Sequence, residues 1–98
     1  MKFEWDEAKN RINIRKHGIA FEEATTVFYD GNAVLFDDPD HSMVEERFLI
    51  IGISAKERLC IVSHCYRGED EVIRLISARK ATRREAKTYY NYLGGIVT

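Results

Sequence analysis

Residues 46–78, "ERFLIIGISAKERLCIVSHCYRGEDEVIRLISA", decide the fold of this 98-residue chain. Two apolar, β-branched runs, 46–54 (ERFLIIGIS) and 58–66 (RLCIVSHCY), are separated by only Ala55-Lys56-Glu57. That spacing predicts an antiparallel hairpin, because parallel strands need a much longer crossover. Arg67-Gly68-Glu69-Asp70 then marks a second turn, followed by a third run, 71–78 (EVIRLISA). The predicted pairing of 58–66 with 71–78 sets Arg67 and Glu71 near one end of the sheet and Arg58 and Arg79 near the other.

Downstream, the period changes from two to 3.6 at Ser77-Ala78-Arg79-Lys80-Ala81-Thr82. Thr82-x-x-Glu85 reads as a capping box opening a helix from about Thr82 to Leu93, with Gly94-Gly95 as its stop. Tyr89, Tyr92 and Leu93 fall on one side of that helix, as core residues do.

Upstream, Lys2-Phe3-Glu4-Trp5 alternates as a short strand, and Asp6 caps a helix over EAKNRINIRKH that Gly18 ends in left-handed geometry. Residues 21–29 form a second helix, with Phe21, Ala24, Val27 and Phe28 on one face. Asp30-Gly31-Asn32 turns the chain into a strand at 33–36, and an acidic loop around Pro39 follows. The order β-α-α-β-β-β-β-α predicts an α+β domain over 1–98, with a mainly antiparallel sheet of four to five strands. Two N-terminal helices and one C-terminal helix are expected to cover one face, leaving the other partly open.

Composition excludes several function classes. A formal net charge of −1 rules out binding to nucleic acid through bulk charge alone. The charge is uneven, however: residues 37–46 hold five acids and no Lys or Arg, whereas 79–87 (RKATRREAK) hold five cations and one acid. Cys60 and Cys65 lie five apart in one strand, so they face opposite sides of the sheet, and no metal spacing is present. No signal peptide or membrane-length apolar run is read, so a cytoplasmic protein is expected. Phosphate-loop, dinucleotide and hydrolase fingerprints are absent.

The candidate chemistry lies in the first helix and at the strand-to-helix junction. Asn10, Asn13 and His17 recur at spacings of three and four around Ile14, so they either serve a site or fix the turn at Gly18. His17 carries an imidazole, the side chain that most often serves as a general acid or base. Lys16 beside it adds charge, although a lysine at a helix end is also a favourable dipole partner. His64, in an apolar strand, is more often a satisfied structural group. Arg79 and Lys80 stand where a strand end meets a helix start, which suits phosphate. Arg83, Arg84 and Lys87 read first as a solvated helix face, and the three late tyrosines as core more than as base-stacking groups.

The runs FEWDEAKNRINIRKHGIAFEEA (3–24) and RLISARKATRREAKTYY (74–90) resemble the BrnT family of type II toxins, within the RelE-like fold group. The shared positions are Trp5-Asp6, Lys9, Asn13, Lys16-His17-Gly18, Phe21 and Ser77-Ala78-Arg79. The resemblance implies a ribonuclease that inhibits translation, needs no metal or cofactor, and is neutralised by a BrnA-type ribbon-helix-helix antitoxin in a hetero-oligomer. Operator DNA would be met only through that antitoxin. Under this reading RNA is the substrate, and Arg79 is the first choice for the phosphate, with Lys16 and Arg67 as supporting cations. Lys80 and Arg83 are further phosphate-binding candidates. His17 leads as the proton-transfer group and His64 is second, while Glu85 caps its helix rather than acting as a base. The competing expectation is a catalytically silent subunit that binds antitoxin within an autorepressor complex. An independent DNA-binding protein fits least, since no helix-turn-helix pattern appears.

Overall fold

The computed structural model describes residues 1–38, 45–69 and 71–97, with side chains through Leu93. Among these residues the chain runs β1 (Phe3–Glu4), α1 (Glu7–His17), α2 (Phe21–Val27), β2 (Val34–Asp37), β3 (Phe48–Ile53), β4 (Leu59–Arg67), β5 (Val72–Lys80) and α3 (Arg83–Val97). The strands form one sheet in the order β1-β5-β4-β3-β2. Every pairing is antiparallel except β1 with β5, which is parallel. The α+β architecture is the one the hairpin spacing implies. Most of the acidic loop, residues 39–44, lies outside the described residues.

The helices divide between the two faces of the sheet rather than sharing one. Ile50, Val62 and Ala78 lie side by side and pack against Ile19 and against Phe21, Ala24 and Val27 of α2. Ile51 and Ile61 face the other way, where they meet Tyr89 and Leu93 of α3. This two-sided cover explains why 48–53 and 59–65 are apolar almost throughout: alternation appears only when one face meets water. Tyr92, expected in that core, is 59% exposed and points away from it.

Local chemistry sets the boundaries. The Asp6 carboxylate accepts the N–H of Ala8 at 2.8 Å, and Gly18 (φ 71°) returns its N–H to Ile14 O at 2.8 Å. α3 continues through Gly94-Gly95 to Val97; a helical glycine costs about 1 kcal/mol relative to alanine but does not by itself end a helix. Gly52 is required by close approach, since a Cβ there would stand 3.0 Å from Val27 Cγ1 and 3.1 Å from Ala33 Cβ. Cys60 and Cys65 are both buried free thiols, and burial pushes the pKa of each upward.

Two features of β5 shape the margin of the sheet beside α1. A β-bulge at Ile76 shifts the register, so that Leu75 faces His64 while Ser77 faces Ser63. The strand also runs on to Lys80, bringing Arg79 opposite Ile61 and Lys80 opposite Cys60.

Candidate active site

β1 pairs with β5 only at Ile73 and Arg74, so the later part of β5 lies along the margin of the sheet. There α1 takes the place of a strand. The buried side-chain amide of Asn13 donates to Ala78 O (2.7 Å) and accepts from Ala78 N–H (3.0 Å), satisfying the backbone groups that a neighbouring strand would have paired. The same amide donates to Ile19 O (2.8 Å). One turn earlier, Asn10 accepts the first N–H of α2, from Phe21 (2.8 Å), and donates to Glu22 (3.0 Å). The two asparagines therefore fix the α1–α2 corner against the sheet.

With Asn13 pinned, the neighbouring side chains of α1 turn toward the bulge. Lys9, Ile12, Lys16 and His17 form one wall of a cleft of about 160 Å³ whose other wall is Ile76 and Ser77 of β5, with Asn13 at its base. Lys9, Lys16 and His17 are exposed, so the cleft is cationic, open and supplied with one imidazole. Ile12 is 51% exposed and gives it an apolar patch. The last turn of α1 tolerates this charge because Arg15, Lys16 and His17 lie at the negative end of the helix dipole.

Arg79 stands two residues beyond Ser77 on the same face of β5, about 7 Å further along the strand. Its guanidinium meets Glu85 in α3 end-on, Nη1 to Oε1 at 2.8 Å and Nη2 to Oε2 at 2.9 Å, and Nη1 also reaches Lys80 O at 3.3 Å. Glu85 at the same time closes the capping box, accepting Thr82 N–H (2.8 Å) while its own N–H donates to Thr82 Oγ1 (3.2 Å). The Arg79 guanidinium holds the Glu85 carboxyl down to about 2, and the carboxylate in turn raises Arg79.

The other candidates are dispersed. Lys80 is exposed on the face opposite Arg79, and Arg83 is exposed in the first turn of α3. Arg67 pairs with Val72 at the far end of β4, about 20 Å along the strand from Ile61, the partner of Arg79. His64 has no exposed surface and packs edge-on to Phe28 with ring centroids 4.8 Å apart. Its Nδ1 lies 3.2 Å from Val62 O, Nε2 has no partner among the described residues, and burial lowers its basicity. It sits in the core beneath α2, outside the cleft.

Lys9, Ile12, Ile76 and Ser77 complete the cleft; Lys9 and Ser77 are among the positions that carry the family resemblance, which gives them no chemical role, and Ile12 and Ile76 are not among those positions. The i, i+3, i+4 recurrence of Lys9, Ile12, Asn13 and Lys16 carries a signal for α1, but no sequence feature announces the bulge at Ile76. A wider groove of about 520 Å³ lies at the other end of α2, lined by Thr26, Tyr29, Asn32, Ile53, Tyr89 and Asp30 among others. Burial would raise the Asp30 carboxyl, but hydrogen bonds from Ile53 N–H (2.8 Å), the Tyr89 phenol (2.7 Å) and Asn32 N–H (2.9 Å) outweigh it and hold it low. No metal-binding group of His, Cys, Asp and Glu occurs among the described residues. Nor is any described helix long and apolar enough to cross a membrane.

Comparison with known proteins gives the family of the chain. A family model described as "Ribonuclease toxin, BrnT, of type II toxin-antitoxin system" matches residues 5–85, which include every residue of the cleft, Arg79 and Glu85. The crystal structure of the Brucella abortus ribonuclease toxin BrnT is similar to this chain, with 28% identity and a TM-score of 0.64, over 85% of this chain and 99% of that one. No curated protein matches. A family match from Trp5 to Glu85, joined to a shared fold, shows that the chain belongs to the BrnT family of ribonuclease toxins of type II toxin–antitoxin systems.

Proposed function

We propose that the chain is a cytoplasmic endoribonuclease that cuts RNA in the α1–β5 cleft and thereby inhibits translation. The observation that carries this reading is the convergence of Lys9, Lys16 and His17 on Ser77, with the Arg79 guanidinium next along the same face of β5. The reaction is transesterification. The RNA 2′-OH attacks the adjacent phosphorus, a base takes its proton, and the P–O5′ bond breaks as the leaving oxygen gains a proton, giving a 2′,3′-cyclic phosphate and a 5′-OH. His17, exposed beside two ammonium groups, is the proton-transfer group. Lys16, Lys9 and Arg79 stabilise the charge that develops on the phosphorane, which is the task a divalent ion performs in other nucleases. Lys80 and Arg83 extend the cationic rim toward α3. His64 and Arg67 have no part in this reading, the first for want of exposure and the second for distance.

The partner is a ribbon-helix-helix antitoxin of the BrnA type, bound in a hetero-oligomer that reaches operator DNA through the antitoxin. The test is induction of the protein alone, beside His17→Ala and Arg79→Ala, with growth and RNA integrity followed, and cleavage by the purified protein assayed in excess chelator. Arrest with chelator-resistant cleavage, lost in either variant while the fold persists, is expected. Intact RNA with soluble, folded parent protein would leave a silent antitoxin-binding subunit instead.

A further inference from the structure

Arg79 is engaged on one edge and open on the other. Its two terminal nitrogens form the end-on fork to Glu85, and Nη1 spends its second hydrogen on Lys80 O. Among the described residues, Nε–H and the remaining hydrogen of Nη2 meet no acceptor. These two parallel N–H groups make a second, side-on fork of the geometry that grips phosphate oxygens. An arginine 41% exposed at its side chain would otherwise sample many rotamers. Here the plane of the guanidinium is fixed by Glu85, whose own position is fixed by the Thr82 capping box, and Lys80 O limits its rotation.

We infer that Glu85 is a positioning residue: it holds Arg79 end-on so that the side-on Nε/Nη2 fork faces a phosphate of the bound RNA. The inference rests on the ribonuclease reading of the site. A carboxylate beside a phosphate site also repels the ligand, so its presence needs a function that outweighs that repulsion. Capping alone does not require it, because glutamine closes the same box without charge. The carboxylate is suited to one further task, a bidentate hold on a guanidinium.

Glu85→Gln and Glu85→Ala separate position from charge. Both are neutral at residue 85, but Gln keeps an acceptor for Arg79 and for Thr82 N–H, and Ala keeps neither. Each is made with Arg79 present and in the Arg79→Ala background, giving a cycle read by two assays. One is affinity for a 2′-O-methyl RNA strand, which cannot be cut, read in both backgrounds; the other is kcat and KM on the matching RNA, read with Arg79 present. Urea unfolding confirms that every variant is folded at the assay temperature. With Arg79 present, Glu85→Gln is expected to bind and cut at least threefold better than Glu85→Ala, and in the Arg79→Ala background the two should be equal. Equality of the two with Arg79 present overturns the inference. So does a difference that persists without Arg79, since the effect then runs through the helix cap. A parent that binds the strand and cuts nothing overturns only the ribonuclease reading, and the affinity comparison still decides this one. A parent that neither binds nor cuts overturns both.

Discussion

The side-chain amide of Asn13 pairs with Ala78 as a neighbouring strand would, donating to its carbonyl at 2.7 Å and accepting from its N–H at 3.0 Å. Sixty-five residues separate the two in sequence, and this pairing fastens α1 to β5 where β1 has ended. Lys16 and His17 lie on the next turn of the helix. The geometry of the cleft thus depends on an asparagine that is itself 5% exposed and out of reach of most ligands.

Replacing Asn13 with leucine leaves three buried backbone groups, Ala78 N–H, Ala78 C=O and Ile19 C=O, without this partner. Each such group costs roughly 1–3 kcal/mol, partly relieved by relaxation, so a loss of about 2–4 kcal/mol is expected. Urea unfolding of the variant and the parent measures it directly. A loss below about 0.5 kcal/mol, the range of ordinary surface changes, would show that α1 is held by other contacts.

The Arg79–Glu85 pair makes stability depend on acid. The folded carboxyl titrates at about 2, against an ordinary value of 4.5. A depressed carboxyl contributes stability above its unfolded value, and the contribution is lost as pH falls from about 4.5 toward 2. Because Arg79 is partly exposed, solvent screening reduces the effect to roughly 1 kcal/mol. Unfolding free energies measured at pH 5 and pH 2.5 should therefore fall more steeply in the parent than in Glu85→Gln. Parallel slopes would show that the pair contributes nothing to folding.

His64 gives an opposite lesson about reading a histidine. Burial lowers its basicity, opposed by the Val62 carbonyl, and its Nε2 has no hydrogen-bond partner among the described residues. The unfolded chain therefore binds a proton there before the folded protein does. Stability from this residue is undiminished above pH 6.5 and declines as pH drops below it, by at most about 2 kcal/mol at pH 5. His64→Leu removes both the titration and the orphan nitrogen. Its stability relative to the parent should rise between pH 7 and pH 5, and a constant difference would assign the pH dependence to other groups.

Legibility followed the range of the interactions. The hairpin 48–67, the Asp6 and Gly18 caps and the Thr82-Glu85 box rest on neighbours close in sequence, and their residue types announce them. The burial of Asn10 and Asn13 was legible only as a polar recurrence on α1, because their partners at Phe21 and Ala78 are tertiary. The placement of α3 across the sheet from α2 had a weaker signal, the unalternating apolar strands, which imply cover on both sides. Glu23 carried no signal at all. It is an acid in the first turn of α2, yet it is 6% exposed, ion-paired with Arg58 and accepting from Ser54 Oγ at 2.7 Å, and it joins α2 to the β3–β4 turn. The Ile76 bulge, which sets the wall of the cleft, depends on strand register and leaves no local trace.

Salt dependence tests the cleft residue by residue. For single-stranded nucleic acid, each phosphate neutralised contributes about 0.7 to the slope of log affinity against log salt. Lys9 and Lys16 are exposed on the wall of the cleft, so Lys9→Gln and Lys16→Gln should each lower that slope by about 0.7 and leave unfolding free energy within about 0.5 kcal/mol of the parent. Arg67→Gln removes a charge of the same sign from the far end of β4 and should leave the slope unchanged. Affinity for the 2′-O-methyl strand across a salt series supplies all three slopes. If Arg67→Gln lowers the slope as much as the two lysine variants do, the RNA path runs along the length of the sheet and is not confined to the α1–β5 cleft.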